Sequence, residues 1–336
     1  MRFDFDDTQY ALRDMARDLF AKESPPSRLR ELWDGKPFDR RVWKTMSDAG
    51  IVGLTVPDAF GGSGGNELDL ALVYEEAGRA CLPEPLLETT GIAAPIITTF
   101  GTDAMRERWL PAIASGDAVA SVQTSEGEPA VWGAEADVLV AVRAGDIHVV
   151  AADAFTATPV ASLDPARPLA RIEAQTDGDT KLDIADAMEQ LFKRAFVGTA
   201  GLLNGIAMHL LATTVAYVKE REQFGRPVGS FQAVKHKLAS MHVAIESARP
   251  AAWYAAYAVA SGLEQGIPAA VAKIAANDAE ELCNTEALQC HGGIGFTWEH
   301  DLHFWLKRGM TLRGSFGTSR ELRIKLPKFH EWDELL

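Results

Sequence analysis

The chain has 336 residues, a length that allows two or three packed units. Of these residues, 47% are apolar, which is typical of a globular protein. The formal net charge of −14 argues against a general nucleic-acid-binding protein, which needs a basic face to displace counterions. The three cysteines, Cys81, Cys283 and Cys290, match no metal-ligand spacing and leave one unpaired, so we expect no metal site and a reducing setting.

The N-terminus, from Met1 to Asp7, is acidic and lacks the apolar run of a signal peptide. No stretch of the sequence is expected to have the apolar length that crossing a bilayer requires. We therefore expect a cytoplasmic protein with no membrane partner and no nucleic-acid partner.

Apolar residues recur at helical spacing in four segments of the first third: Asp7–Lys22, Arg40–Ala49, Leu68–Arg79 and Asp103–Ile113. A glycine-dense loop at 56–65 precedes the third of these helices. It has neither the Lys-Ser/Thr pair of a P-loop nor a preceding strand, so we interpret it as a connection. The first third is therefore predicted to be all helical.

The pattern changes after Gly116. Stretches at 118–124, 137–143 and 147–152 predict strands, and Ala144-Gly145-Asp146 predicts a hairpin turn between the last two. Three prolines break up the following segment, in which short strands are expected only around 169–174. This β unit is short for a free-standing domain and is interpreted as an insert between helical blocks.

The last third is again helical, with predicted helices at 186–220, 231–262, 268–291 and 299–308. Long antiparallel helices joined by short turns form a bundle. The sequence therefore predicts a mainly α fold with a small β insert. Its predicted domains are an N-terminal helical domain at 1–117, a shortened β domain at 118–182 and a C-terminal four-helix bundle at 183–336.

The segment from Arg221 to Gln232 joins the first two bundle helices and turns through Gly225, Pro227 and Gly229. An Arg, an aromatic residue and a Gln around a helical hairpin could hold a flat anionic ligand. The same residues also fit an ordinary helix-turn-helix with solvated charges. Taken by itself, the turn favours that structural interpretation.

Five motifs, in this order, resemble the acyl-CoA dehydrogenase family over almost the whole chain, as does the order of helical block, β unit and bundle. The motifs are Val56-Pro57 with the glycines at 61–64, Glu75–Arg79, Arg108–Pro111 followed by 114–116, Arg221–Gly225 with Phe231-Gln232, and Gln289–Thr297. Each motif alone is weakly specific, but all five in order are specific. The resemblance implies the acyl-CoA dehydrogenase fold.

In that family FAD lies between subunits, and the two C-terminal motifs reach the nucleotide bound mainly by the neighbouring chain. An Arg fork suits a pyrophosphate, an aromatic ring packs on a ring face, and paired glycines allow close backbone approach. Cys290 and His291 are interpreted as filling space within this motif without contacting the cofactor. The resemblance implies FAD as the cofactor and eight residues that contact it: Arg221, Gln223, Phe224, Phe231, Gln232, Gln289, Gly292 and Gly293.

The family reaction removes the α-proton of an acyl-CoA with a Glu while the β-hydrogen leaves as hydride to the flavin. The usual position of that Glu corresponds to Phe316 here, and the alternative position of some relatives corresponds to Ala195. Neither side chain accepts a proton, so no catalytic residue is assigned. Glu189 lies about two helical turns before Ala195 and would need a shift in register to serve.

The β unit keeps only fragments of the segments that touch the flavin ring in this family. The run Gln123–Pro129 retains pieces of a Thr-Glu-Pro-Gly motif, and the Trp-Ile-Ser/Thr segment is missing, with Trp132 as a candidate remnant. A chain without the base and without this segment is expected to hold no complete active site of its own.

The retained motifs are those that serve a neighbour's FAD. The pattern resembles the shortened, base-less subunit of the heterotetrameric (α2β2) acyl-CoA dehydrogenases of bacterial steroid side-chain degradation. This resemblance implies a full-length partner that carries the Glu, an acyl-CoA oxidised to its 2,3-enoyl form, and an electron-transfer flavoprotein as acceptor. Two alternatives stay open: a homo-oligomeric dehydrogenase with its base relocated to Glu189 or Asp186, and a flavin-free scaffold.

Overall fold

A computed structural model describes residues 4–182, 186–263 and 266–328 of the chain. It has two compact units, which comprise in the described residues 4–26, 71–82 and 199–328 for the first, and 27–70, 83–182 and 186–198 for the second. Met1 to Phe3 and parts of the predicted C-terminal domain (183–185, 264–265 and 329–336) lie outside the described residues. The three predicted domains, with boundaries at 117/118 and 182/183, stay a prediction.

The predicted fold class is confirmed, with helices before and after a small β region. The N-terminal helices lie close to their predicted positions, and a π-helix at Leu87–Ala93 and two helices at 26–33 and 94–100 were not predicted. The α-helices before the β region are α1 (Asp7–Glu23), α2 (Pro26–Trp33), α3 (Arg40–Asp48), α4 (Glu67–Arg79), α5 (Ala94–Phe100) and α6 (Asp103–Ala114).

The β region forms two three-stranded sheets, with strand orders β1-β3-β4 and β2-β6-β5. Their facing surfaces share a core that includes Leu139, Val150 and Ile172. The predicted hairpin is present, because Arg143 pairs with Asp146 across the two-residue turn Ala144-Gly145. The strands are β1 (Ala120–Gln123), β2 (Ala130–Val131), β3 (Val138–Arg143), β4 (Asp146–Ala151), β5 (Phe155–Val160) and β6 (Leu169–Ala174).

Strand β5 was missed because Pro159 was taken as a breaker. It lies at the edge of its sheet, where a missing backbone N–H costs no ladder hydrogen bond. The β insert is also tied to the π-helix, since the Thr89 hydroxyl donates to the Ala120 carbonyl at 2.9 Å. In the same region Arg167 forms a buried ion pair with Glu88.

The C-terminal helices are α7 (Ala187–Glu220), α8 (Gln232–Ala260), α9 (Gly266–His291), α10 (Leu302–Gly314) and α11 (Ser319–Lys325), and a small hairpin of β7 (Glu222–Gln223) and β8 (Arg226–Pro227) lies between α7 and α8. The last predicted helix, at 299–308, begins and ends too early compared with α10. Helix α11 was missed, although Thr318 and Glu321 form the capping box that marks its start.

Helix α7 contains an 18-residue window of mean hydropathy 1.5, so by length and composition it is able to span a bilayer. The expectation that no stretch reaches this length was therefore wrong. Of that window, 72% is buried inside the protein, which is the usual position of a core helix in a globular domain. Its hydropathy reflects burial between protein elements.

His209 in α7 is a partly buried imidazole whose protonation is expected to lower stability at acid pH. Its ring stacks on Trp305 with centroids 3.7 Å apart, and its Nε2 lies 3.1 Å from the Thr213 hydroxyl. Burial, with a smaller contribution from the Arg79 charge, lowers the pKa of His209 to about 4. The folded protein therefore keeps this ring neutral between pH 6.5 and 4, whereas the unfolded chain protonates it.

We expect the contribution of His209 to be full above pH 6.5 and to be lost as pH falls toward 4, by up to about 3 kcal/mol. Denaturant unfolding of the wild type and of His209→Gln, measured at several pH values, checks this. Because other groups titrate identically in both proteins, the difference in unfolding free energy isolates His209. A difference that does not change between pH 6.5 and 4 contradicts the prediction.

Candidate functional site

A groove of about 680 Å3 opens where α7, α8 and α9 end or begin. It brings together Arg221 and Gln223 from the first predicted motif with Gln289, Gly292 and Gly293 from the second. These two motifs are separated by most of α8 and α9 along the chain, and only the packing of the helices joins them. The remaining lining residues are Tyr217, Val228, Val234, Lys237, Cys290, His291 and Ile294.

The lining carries two cationic side chains, Arg221 and Lys237, and no carboxylate. The surrounding segment 217–237 has five basic and two acidic residues, although the chain as a whole has a net charge of −14. A local excess of positive charge in an acidic protein indicates a site for an anion. The guanidinium fork and the two Gln amides add hydrogen-bond donors of the kind that bind phosphate oxygens.

The hairpin β7–β8 displays an aromatic ring to solvent at the side of this groove. Its turn residues Phe224 and Gly225 have φ of 55° and 77°, and the Phe224 side chain is 92% exposed. Its ring meets that of Phe231 edge-on at 6.1 Å, and the Arg226 guanidinium lies 4.1 Å from the Phe231 centroid. A non-glycine residue in the left-handed region is strained, and such strain often accompanies a functional role.

Three of the eight predicted contacts therefore lie outside the groove lining. Phe224 and Phe231 form the aromatic pair of the hairpin, and Gln232 is the first residue of α8, with its amide nitrogen 3.4 Å from His236. The structure brings five of the predicted residues into one groove, and the other three lie in the adjoining hairpin and at the start of α8. Contact with FAD stays a prediction for all eight.

The second wall of the groove is the end of α9. Gly292 has a φ of +62°, and a Cβ added at Gly292 or Gly293 would meet nothing within 4 Å. The backbone is thus bare and open at this point, so a ligand can approach its N–H groups closely. A glycine with positive φ directly after a helix is also the usual helix cap, so the ligand role of the glycine pair stays a prediction.

His291 forms the floor of the groove. Its ring stacks on Tyr217 with centroids 4.4 Å apart, and its Nδ1 lies 2.8 Å from the Ala287 carbonyl. Burial lowers the pKa of His291, which favours the neutral ring with Nδ1–H as the donor. Cys290 and His291 were interpreted as filler, yet both line the groove, and His291 supports it by packing.

The position predicted for the catalytic Glu is a turn between α10 and α11. Phe316 is half-buried there with a φ of 60°. The segment 314–322 contains one carboxylate, Glu321, which accepts hydrogen bonds from the Thr318 N–H and hydroxyl at 2.8 Å. These bonds lower the pKa of Glu321, which makes its carboxylate a poor proton acceptor.

The alternative base positions are also occupied by unsuitable residues. Ala195 is completely buried in α7, and Glu189, one of the relocated-base candidates, forms an ion pair with Lys193 one turn along the same helix. Asp186, the other candidate, precedes α7 and accepts the Gln190 N–H through its backbone oxygen at 3.0 Å. None of these contacts prepares a carboxylate to take a proton from carbon.

Among the described residues, Glu280 is a carboxyl group with a pKa in the range of a general base. Burial raises its pKa to about 7. Its side chain has no solvent exposure and is held by the Asn284 amide at 2.9 Å and the Arg313 guanidinium at 2.8 Å. A Cβ at Gly309 would collide with it. Because no substrate reaches this position, Glu280 is a structural residue.

Lys273 lies in the same buried region and caps the end of α10. Its ammonium donates to the Leu312 and Arg313 carbonyls at 3.2 and 3.3 Å and to the Asn277 side chain at 2.6 Å. A cation at a helix C-terminus satisfies carbonyls that have no partner in the helix. Lys273 therefore fixes the helix end immediately before the Phe316 turn.

Trp132, the candidate remnant of the flavin-ring segment, is a core residue in this chain. It is 1% exposed, its indole N–H donates to the Pro83 carbonyl at 3.0 Å, and its ring packs on Phe38 with centroids 4.3 Å apart. Its contacts give it no access to a ligand. Among the described residues, no group of three or more His, Cys, Asp or Glu could hold a metal ion.

Sequence reasoning missed Lys237 and Tyr217 as lining residues. A signal was present in the helical period, because Arg221 directly follows α7, four residues after Tyr217, and its N–H donates to the Tyr217 carbonyl at 2.9 Å. Val234 and Lys237 are three residues apart on α8. Residues at these separations share one helix face. With Arg221 as a candidate, Tyr217, which lies one turn earlier at the end of α7, was therefore a candidate too.

Comparison with known proteins supports the same class. Residues 6–117 match the family model described as acyl-CoA dehydrogenase, N-terminal domain, and residues 184–326 match that of the C-terminal domain. The acyl-CoA dehydrogenase IpdE2 of Mycobacterium tuberculosis is 35% identical over 301 residues, which cover 88% of this chain and 89% of that protein. The present chain thus spans nearly the full length of this relative.

Two solved structures share the fold. One chain of the ChsE4-ChsE5 complex from Mycobacterium tuberculosis has a TM-score of 0.91 at 24% identity, with coverage of 98% of this chain and 99% of that one. One chain of a variant described as the Tcur3481-Tcur3483 steroid ACAD has a TM-score of 0.89 at 25% identity, with the same coverage. At 24% identity, the likeness to the ChsE4-ChsE5 chain shows a shared fold alone.

The chain belongs to the acyl-CoA dehydrogenase family, whose members are FAD-dependent oxidoreductases that act on CH–CH bonds. This confirms the family that the five motifs indicated. The groove has the donors and the bare backbone that an anionic dinucleotide needs, so its residues fit part of an FAD molecule. The turn at Phe316 offers no base for the family reaction.

Proposed function

We propose that this chain is the non-catalytic subunit of a heteromeric acyl-CoA dehydrogenase, and that it completes the FAD site of a partner. The observation that carries the proposal is the separation of two features within one chain. The groove keeps two cations, two Gln amides and an open Gly-Gly backbone, whereas the base position holds Phe316. A nucleotide-binding half without a proton acceptor is useful only beside a chain that supplies the rest.

In this assembly Arg221 holds the pyrophosphate of the partner's FAD through paired N–H donors. Gln223 and Gln289 donate from either side, and the Gly292-Gly293 backbone lies against the nucleotide. The exposed Phe224 ring packs on an apolar or aromatic surface that the partner chain or its nucleotide presents. When bound, the flavin would supply the hydride acceptor, and the Glu that we propose for the partner would take the α-proton.

The proposed partner is a full-length subunit that carries this Glu, in an α2β2 assembly with fewer FAD sites than subunits. The two-protein complexes among the solved relatives support a heteromeric arrangement. The proposed substrate is a steroid side-chain acyl-CoA, oxidised to the 2,3-enoyl form, by analogy with the steroid ACAD. An electron-transfer flavoprotein is the proposed acceptor and the cytoplasm the proposed location.

The test is expression of this chain alone and together with the protein encoded by its neighbouring gene. We expect the chain alone to bind less than stoichiometric flavin and to show no enoyl-CoA formation, and the co-purified complex to be yellow and active. Flavin absorbance per chain and product formation from a steroid side-chain acyl-CoA measure the two properties. Glu189→Gln in the complex is expected to leave turnover unchanged.

Strong stoichiometric flavin binding with turnover by the chain alone would falsify the proposal and favour the self-sufficient dehydrogenase. In that case loss of activity in Glu189→Gln identifies the relocated base. A stable complex whose flavin content is independent of this chain favours the flavin-free scaffold instead. The three interpretations therefore give three different sets of results.

A further inference from the structure

A second cationic side chain, that of Lys237, lines the groove and forms an ion pair with a carboxylate outside the lining. Lys237 of α8 lines the groove, and its ammonium forms an ion pair with the Glu286 carboxylate of α9, which does not line the groove. The exposed fractions of the two side chains are 36% and 19%. Lys237 thus lines the groove while its ammonium is paired with Glu286.

We propose that Lys237 binds the same anion as Arg221, and that Glu286 is a positioning residue that acts through Lys237. This inference rests on the proposed function. A pyrophosphate diester carries two negative charges, whereas Arg221 supplies one positive charge. Lys237 is the other cation in the lining, so the pair matches the charge of the pyrophosphate group of a dinucleotide.

Glu286 has two opposing effects on an anion in the groove. Its carboxylate fixes the flexible Lys237 side chain in one direction, which prepares the ammonium for binding. Its negative charge also repels the anion and offsets part of the attraction of Lys237. The substitution Glu286→Gln keeps an oxygen that accepts from Lys237 and removes the charge, so it separates the two effects.

A purely structural role for the ion pair makes a different prediction. If the pair only links α8 to α9, Lys237→Gln and Glu286→Gln both loosen the helices and both weaken flavin binding. If Lys237 binds the anion, the two substitutions act in opposite directions. The sign of the Glu286→Gln effect therefore decides between the two roles.

The experiment uses the co-purified complex after removal of its flavin, with Kd for FAD measured by quenching of flavin fluorescence at low and high salt. We expect Lys237→Gln to raise Kd about fivefold to tenfold, as for loss of a charged hydrogen bond near the surface. We expect Glu286→Gln to lower Kd about threefold. Both effects are expected to shrink at high salt, because screening weakens exposed charges.

Lys235→Gln is the matched control, because Lys235 is an exposed cation on the same helix that does not line the groove. Its Kd is expected to equal that of the wild type. A raised Kd for Glu286→Gln, or an unchanged Kd for Lys237→Gln, overturns the inference while leaving the proposed function intact. An unchanged Kd for Arg221→Ala overturns the proposed function itself, so the two failures are distinguishable.

Discussion

Replacement of Gly205 by alanine is expected to lower the free energy of unfolding by at least about 3 kcal/mol, or to prevent folding. A Cβ at this position of α7 would lie well inside 3.0 Å of the backbone oxygen of Glu75 in α4. The reciprocal contact has the same character, since a Cβ at Gly78 would collide with the Leu202 oxygen. Because the atoms that such a Cβ would meet belong to the backbone of the other helix, no flexible side chain can move to relieve the clash.

The two helices cross at a point where each contributes a glycine, so their axes approach closely. Gly201, one turn before Gly205, extends this surface, because a Cβ there would lie 2.7 Å from the Tyr74 Cβ. Intrinsic propensity predicts the opposite result, since Gly→Ala within a helix normally stabilises by up to about 1 kcal/mol. The tertiary contact outweighs this gain.

Gly314→Ala is the matched control for the Gly205 variant. Gly314 also lies in a helix, at the end of α10, and a Cβ there would meet nothing within 4 Å. Its free energy of unfolding is expected to equal or exceed that of the wild type. Chemical denaturation followed by circular dichroism measures both variants, and equal stabilities for Gly205→Ala and Gly314→Ala contradict the proposed helix crossing.

Arg221→Ala is expected to weaken FAD binding by the complex at least about tenfold, since a charged hydrogen bond contributes about 1.5–3 kcal/mol. Arg221 directly follows the end of α7, and its side chain lies in a lining that contains no carboxylate to compete for it. Its loss removes one of the two groove cations and the only guanidinium in the lining. We expect the isolated chain to fold normally, because Arg221 is exposed.

Lys219→Ala serves as the control, because it removes an exposed positive charge two residues earlier, in the last turn of α7, from a side chain that does not line the groove. Equilibrium dialysis and flavin absorbance of the purified complex give the FAD content of each variant. Equal FAD affinity in Arg221→Ala and wild type means that the groove does not hold the cofactor. A loss shared by Lys219→Ala means that general charge, and not the groove, controls affinity.

Sequence patterns predicted elements well where the signal is local. Apolar spacing predicted α1, α3, α4 and the long C-terminal helices, since helix periodicity repeats within each segment. The prediction was wrong where a tertiary position overrides a local rule, as for Pro159 in edge strand β5. It also missed the short helix α11, whose capping box was present in the sequence but was not used.

The sequence by itself determined the family and the residue types at the base positions, because motif order and the identity of Phe316 and Ala195 need no coordinates. Only the tertiary structure decided that the two C-terminal motifs meet in one groove with Lys237, and that Glu280 is enclosed. The physical reason is the range of the interactions. Periodicity and turn chemistry act over a few residues, whereas the groove and the buried carboxyl depend on how helices distant in the chain pack together.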